Sequence, residues 1–271
     1  MDLMVVTVLK VYTADIKPIE SKGACGMLHG MTAIYTREIL LLRRRLPKQI
    51  PSWSVSPLLY LIAFGYAMGR EVMVDGQPYM TFLIPGLVAM SSMTQAFAIA
   101  SEINVARFYW HIFEEFQAAP ISNLSYVLGE VMAGVTRAIL SVLVILLLGA
   151  LFGVTLSLNP YFWLAVILNA FVFASLAVAL AMLVKSHADQ SMLTSFIITP
   201  MAFLGGTFFP IAKLPIWAQK ILYFLPLTHA ATAIRSAALN LRVEWMSYGI
   251  LLIIGMVFFY IAVFCVEKAK D

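Results

Sequence analysis

Along the 271 residues, apolar and polar positions come in long blocks rather than in steps of two. Six blocks are long enough and poor enough in charge to cross a bilayer as helices: near 51–69, 79–101, 124–152, 161–184, 190–211 and 246–266. A spanning helix needs about 20 apolar residues for a hydrocarbon core about 30 Å thick. The third block exceeds this, so it tilts or projects beyond the lipid. Barrel strands would show segments of about ten residues with a period of two, and none is found. The pattern predicts an all-α polytopic membrane protein.

Three stretches depart from this pattern. ARFYWHIFEEFQAAPIS, residues 106–122, separates the second block from the third. At about 100° per residue, Phe108, Tyr109, Ile112, Phe113 and Phe116 fall within one arc of roughly 140°. Arg107, Trp110, His111, Glu114, Glu115 and Gln117 take the rest, and Pro120 ends the helix. Helices that float on headgroups usually carry a basic polar face. This one is acidic, which favours docking on a protein over floating on lipid. The second stretch, LHGMTAIYTREILLLRRRLPKQIP (28–51), puts Met31, Ile34, Tyr35, Ile39, Leu42 and Leu46 on one face and Arg37 and Arg44 opposite. It is basic and suits the inner membrane surface.

The third stretch is GGTFFPIAKLPIWAQKILYFLPLTHAATAIR, residues 205–235, which Pro210, Pro215 and Pro226 cut into short pieces. Ile216–Leu225 as a helix is only about 15 Å long. Non-helical backbone at membrane depth must be satisfied by protein or by a water-filled cavity. Two alternatives fit: a surface loop, or a re-entrant hairpin with Trp217 and Tyr223 near the interface. Gly205 and Gly206 permit close helix packing there.

Composition agrees with the pattern. Hydrophobic residues make up 62%, charged residues 12%, and the mean hydropathy is +0.90. Soluble domains carry about a quarter charged residues. The opening MDLMVVTVLKVYTADIKPIE lacks the basic start and the small-residue cleavage site of a signal peptide. Residues 1–27 are therefore expected to form a polar cytoplasmic extension.

Cytoplasmic loops carry the excess of lysine and arginine. Eight such residues precede the first block, and with the N-terminus inside they are joined by Arg107, Lys185, Lys268 and Lys270. Arg70, Lys213, Lys220, Arg235 and Arg242 fall on the other side. Both termini are thus expected in the cytoplasm, and the net charge of +4 reflects topology and anionic lipid rather than nucleic acid.

Cys25 and Cys265 fall on the reduced side, and His29, His111, His187 and His229 are scattered, so neither a disulfide nor a metal site is expected. No G-x-x-x-x-G-K-[ST], G-x-S-x-G or H-E-x-x-H pattern occurs. No catalytic residue is assigned, and no cofactor is expected on this chain. Glu102 and Glu130 belong near the inner ends of the second and third blocks. Arg137 lies about 10 Å along the helix from Glu130, too far for a simple pair. It is either part of a structural ion pair or a contact for an anionic headgroup on the substrate path.

Three segments carry a resemblance: YMTFLIPGLVAMSSMTQAFAIA (79–100), FEEFQAAPIS (113–122) and TPMAFLGGTFFPIAKLPIWAQKILYFLPLTHAATAIR (199–235). They resemble the permease subunit of six-span ABC-2-type exporters, and most of all the branch of nodulation-factor, or lipo-oligosaccharide, exporter permeases. The resemblance implies a homodimer of permeases joined by two separate ATPase subunits, which bind the ATP and Mg. It makes the segment after the second span the coupling helix, with Phe108, Ile112, Phe113, Glu114, Glu115 and Phe116 at the ATPase interface. Residues 28–48 become the connecting helix, 49–271 the transmembrane domain, and Lys185–Gln190 a lesser cytoplasmic contact. Gly205, Gly206, Pro210, Pro215, Trp217 and Pro226 fall in a re-entrant exit region. The chain departs from the family before its usual start, at 1–27, and in YWHIF ahead of Glu114, where a basic residue is expected.

The expected function is that of a non-enzymatic permease in a bacterial plasma (inner) membrane, moving an amphipathic, glycan or lipid-linked substrate outward. A secondary transporter or channel would show symmetry between halves, which is not evident. A lipid-modifying membrane enzyme would gather His, Asp or Glu at one face, and the histidines here do not.

Overall fold

A computed structural model of the chain describes residues 24–66, 72–74, 76–119 and 121–269. The expected extension over 1–27 lies almost wholly outside these residues, as do Arg70 and the helix-ending role of Pro120. The first element, α1, runs from Ala24 to Tyr60 and continues through a π-helical turn, Leu61–Tyr66. A short antiparallel hairpin of β1 (Met73–Val74) and β2 (Gln77–Pro78) pairs Met73 with Pro78 and Val74 with Gln77. Next come α2 (Tyr79–Phe97) and α3 (Ile99–Asn104), which with the π-helical turn Val105–Tyr109 form one run of 31 residues. A small helix, α4 (Ile112–Ala118), leads to α5 (Asn123–Leu151) and α6 (Pro160–Leu183). Then follow α7 (His187–Leu193), a π-helical turn Thr194–Ile198, and α8 (Thr199–Leu204). Two further short helices, α9 (Ile216–Tyr223) and α10 (Pro226–Ala238), precede the last helix, α11 (Trp245–Lys268).

The helix starts follow local rules. Ser122 and Asn159 cap α5 and α6 by accepting from Ser125 N and Phe162 N, and Ser186 caps α7 through Asp189 N. Pro160 and Pro226 sit in the first turns of α6 and α10, where the missing N–H costs nothing.

Among the described residues, four helices are long and apolar enough to cross a membrane: Tyr79–Tyr109, Asn123–Leu151, Pro160–Leu183 and Trp245–Lys268. In the first, 83% of the apolar window is buried, and in the last 28%. The Tyr79–Tyr109 run is therefore central and α11 peripheral. α2 packs against both α5 and α6, α11 lies along α6, and α1 lies along α5. α10 fills the space beside α2, α6 and α11. The outward side chains of α11 include Leu252, Ile253, Met256, Val257, Tyr260 and Phe264, an apolar face suited to lipid.

The first and fifth blocks are built differently from the pattern's suggestion. The amphipathic stretch 28–48 and the first block do not form separate helices. α1 runs unbroken past Pro47, Pro51 and Pro57, and its first half is clamped along α5. Where the two helices cross, a Cβ on Gly129 would stand 2.8 Å from Ile34, so only glycine admits this approach. The fifth block starts among polar residues of α7 and stops at Gly205–Gly206, where Gly206 takes φ +80°.

Candidate functional site

The turn that carries the chain from α3 to α5 is sharper than one continuous amphipathic helix. Trp110 ends the long run by donating its N–H to the Val105 carbonyl at 3.1 Å. His111 then takes a left-handed conformation, φ 53°, and α4 begins. This kink separates Phe108 and Tyr109 from Ile112, Phe113 and Phe116, so the single arc seen in the sequence is broken in two. A non-glycine residue at positive φ is uncommon, and the three elements around it hold it in place.

The aromatic side of α4 faces inward. Phe113 is buried and meets Tyr126 of α5 edge-on at 5.6 Å, and Phe116 meets the same ring at 5.8 Å. The Arg107 guanidinium lies 5.3 Å from the Phe113 ring and 5.1 Å from Phe108, and donates to the Ala181 carbonyl on α6. Arg37 of α1 lies 5.2 Å from the Phe116 ring. These two cation–π contacts on α4, with the ring contacts of Tyr126, fix it against α1, α5 and the run that precedes it. What remains outward is Tyr109, 79% exposed, with Trp110, His111 and Glu115. Ile112 is half-buried, and Glu114 contributes its backbone to α4 while its side chain lies outside the described set.

Behind α4 lies a junction of charges. Glu102 on α3 accepts from Arg45 Nη1 at 2.9 and 2.7 Å, and from Arg137 Nη1 at 3.3 Å. Arg37 and Glu38 pair at 2.6 Å. Burial pushes the Glu38 carboxyl above its ordinary value, with Arg37 pulling the other way. Glu130 is also buried, and its Oε2 has no hydrogen-bond partner among the described residues. Arg137 therefore finds its counter-charge on α3 rather than on its own helix.

At the opposite end of α2, the segment after α8 is bolted to the bundle. Tyr79 donates to the Phe208 carbonyl at 2.8 Å, and Arg235 Nη2 donates to the Gly206 carbonyl at 2.8 Å. The Arg235 guanidinium also stacks 3.8 Å from the Phe82 ring. Gly205 abuts Leu227, whose Cδ2 would stand 2.7 Å from an added Cβ. Pro210 precedes a single 3₁₀ turn, Pro215 caps α9, Trp217 is exposed on α9, and Pro226 opens the buried α10. Tyr60, Phe64, Phe203 and Phe208 form an aromatic cluster there, with Phe208 at 5.0 Å from Tyr60, 5.3 Å from Phe64 and 5.4 Å from Phe203.

The junction at Glu102 and the role of Tyr126 were not visible in the sequence. Both depend on which helices become neighbours. The available signal was charge balance: Glu102 and Arg137 sit inside or at the edge of otherwise apolar blocks, and such groups seek each other.

The ABC-2 type transporter family matches residues 30–239. Inner membrane transport permease YadH of Escherichia coli (strain K12) is 26% identical over 246 residues, covering 89% of this chain and 95% of that protein. Nodulation protein J of Sinorhizobium fredii (strain NBRC 101917 / NGR234) is 31% identical over 211 residues, covering 77% of this chain and 80% of the relative. Its counterpart in Rhizobium meliloti (strain 1021) is 32% identical over 215 residues, with the same two shares, 77% and 80%. The match runs through the central helices, α4 and the segment up to α10, and on it the chain belongs to the ABC-2 type transporter family of membrane permeases.

Proposed function

We propose that this chain is the permease subunit of an ATP-driven exporter in a bacterial inner membrane, working as a homodimer with two separate ATPase subunits that bind ATP and Mg. The observation that carries this reading is the build of α4. Its aromatic side is spent on Tyr126, Arg37 and Arg107, while Glu115, His111, Trp110 and Tyr109 are left outward. A helix this short does not persist alone; here it is held rigidly at the tip of a long spanning run. Rigid mounting with Glu115 and the aromatic Tyr109 and Trp110 outward suits a docking element for a protein, to which the sequence adds the charge of Glu114.

Two further spans complete the proposed set of six. α1, at about 55 Å, is long enough to lie on α5 with its first half and to cross with its second. The run from α7 to α8, about 27 Å, is close to a hydrocarbon thickness. Both termini and α4 then face the cytoplasm. α9 and α10, about 12 and 20 Å long, dip in from outside as a re-entrant pair that shapes the exit. The outward apolar face of α11 meets lipid. The exported substrate is an amphipathic, glycan or lipid-linked molecule, as the resemblance to lipo-oligosaccharide exporter permeases implies.

Site-directed photo-crosslinking tests the docking role. A crosslinker at position 115 should capture the ATPase subunit in the intact membrane, and one at Trp217 should not. Capture from Trp217 but not from 115 overturns the assignment of α4.

A further inference from the structure

Glu102 closes a meeting point of three helices. It stands on α3, two helical turns before the kink that leads into α4. Its carboxylate receives Arg45 from α1 and Arg137 from α5. The side chains of Glu102 and Arg137 are 15% and 8% exposed, so the pair is largely withdrawn from water. Breaking such a pair on one side is costly, because the remaining charge stays buried. Here two cations would be left facing each other.

α1 also reaches α4 directly. Arg37, eight residues or about 12 Å before Arg45, holds Phe116 from above. Just before Arg37, α1 is fixed to α5 by the Gly129–Ile34 contact and by the hydrogen bond between Tyr35 and Thr136 at 3.0 Å. α1 is thus a rod whose middle third grips α4 through Arg37 and the α3–α5 junction through Arg45.

We propose that Glu102 is a positioning residue for energy coupling: by tying Arg45 and Arg137 to α3, it makes α1, α3 and α5 move as one body when α4 is displaced. Without it, a push on α4 is absorbed by slippage between α1, α3 and α5 instead of reaching the segment 205–238 at the far end. This rests on the reading of α4 as the ATPase docking element.

The test uses the full permease–ATPase complex in lipid nanodiscs, with hydrogen exchange compared between the nucleotide-free and ATP–vanadate-trapped states. In the wild type, exchange should change both at 112–118 and at 205–238. In Glu102→Gln, the change at 112–118 should persist and the change at 205–238 should be lost, with ATPase binding retained. Glu102→Asp, which keeps the charge, should restore it. Arg45→Gln, a milder change because Arg45 is half exposed, should reproduce the loss without threatening the fold. A retained change at 205–238 in both Glu102→Gln and Arg45→Gln overturns the proposal alone. Absence of any change at 112–118 in the wild-type complex overturns the docking reading and this proposal with it.

Discussion

Gly86 lies in the middle of the buried face of α2, directly under the segment after α8. A Cβ there would stand 2.4 Å from the Thr207 carbonyl oxygen and 2.9 Å from Thr207 Cα. Backbone would have to retreat by at least about 0.6 Å to bring the oxygen out to 3.0 Å. It is poorly placed to do so. Thr207 is fully buried and its hydroxyl donates to Ala202 O at 3.0 Å, while Gly206 and Phe208 on either side are held by Arg235 and Tyr79. Overpacking of this kind costs about 1–3 kcal/mol, and loosening one flanking hydrogen bond adds about 1 kcal/mol. Alanine's better helix propensity returns about 1 kcal/mol.

Gly86→Ala should therefore destabilise the permease by about 1–3 kcal/mol. Gly249→Ala provides the contrast, since a Cβ on Gly249 in α11 meets nothing within 4 Å. That change should be neutral or stabilising by up to about 1 kcal/mol. Thermal unfolding of the two variants side by side in one detergent reads the difference, at about 2–4 °C per kcal/mol for a chain of this size. Gly86→Ala should melt clearly below wild type and Gly249→Ala at or above it. Equal melting points would refute the close approach between α2 and the Thr207 backbone.

Replacing both Glu114 and Glu115 with lysine should leave insertion unchanged and weaken ATPase association, because like charges at an interface can cost several kcal/mol; unchanged co-purification would mean that these charges meet only solvent. Phe113→Ala should loosen α4, since truncating a buried phenylalanine costs about 3–5 kcal/mol, and proteolysis near 110–122 should rise. Asn159→Ala removes both the α6 cap and the bond to the Ala237 carbonyl at 2.8 Å, and should lower stability by about 1 kcal/mol or more, read as melting temperature. Glu38 binds its proton more tightly folded than unfolded, so its favourable contribution is full below the ordinary value of 4.5 and fades as pH rises through the raised one. Glu38→Gln should flatten that part of the stability–pH curve, and an unaltered slope would count against the burial of Glu38.

Much of this architecture was readable from apolar run length. The blocks at 79–101, 124–152, 161–184 and 246–266 correspond to the four long apolar helices because nothing but lipid and packing decides them. The first and fifth blocks were harder to read. Pro47, Pro51 and Pro57 look like helix ends, yet α1 runs through all three as one helix. The α4 region showed its amphipathic character but not its kink, since His111 adopts φ 53° only because Trp110 and Phe113 are anchored on either side. Phe113 and Phe116 read as a partner-facing stripe, whereas Tyr126, 10 residues beyond Phe116, claims both rings. Long-range pairs such as Glu102 with Arg137 leave no periodic trace at all.

Cysteine labelling at Glu115 and at Leu214 separates the two faces that the account assigns, with 115 inside and 214 outside. The most direct test is the mass of the complex. The chain should be tagged, expressed with its candidate ATPase, extracted in mild detergent and weighed intact. The account predicts two copies of this 30.0 kDa chain bound to two ATPase subunits. A transport-competent particle containing this chain without any ATPase would contradict it.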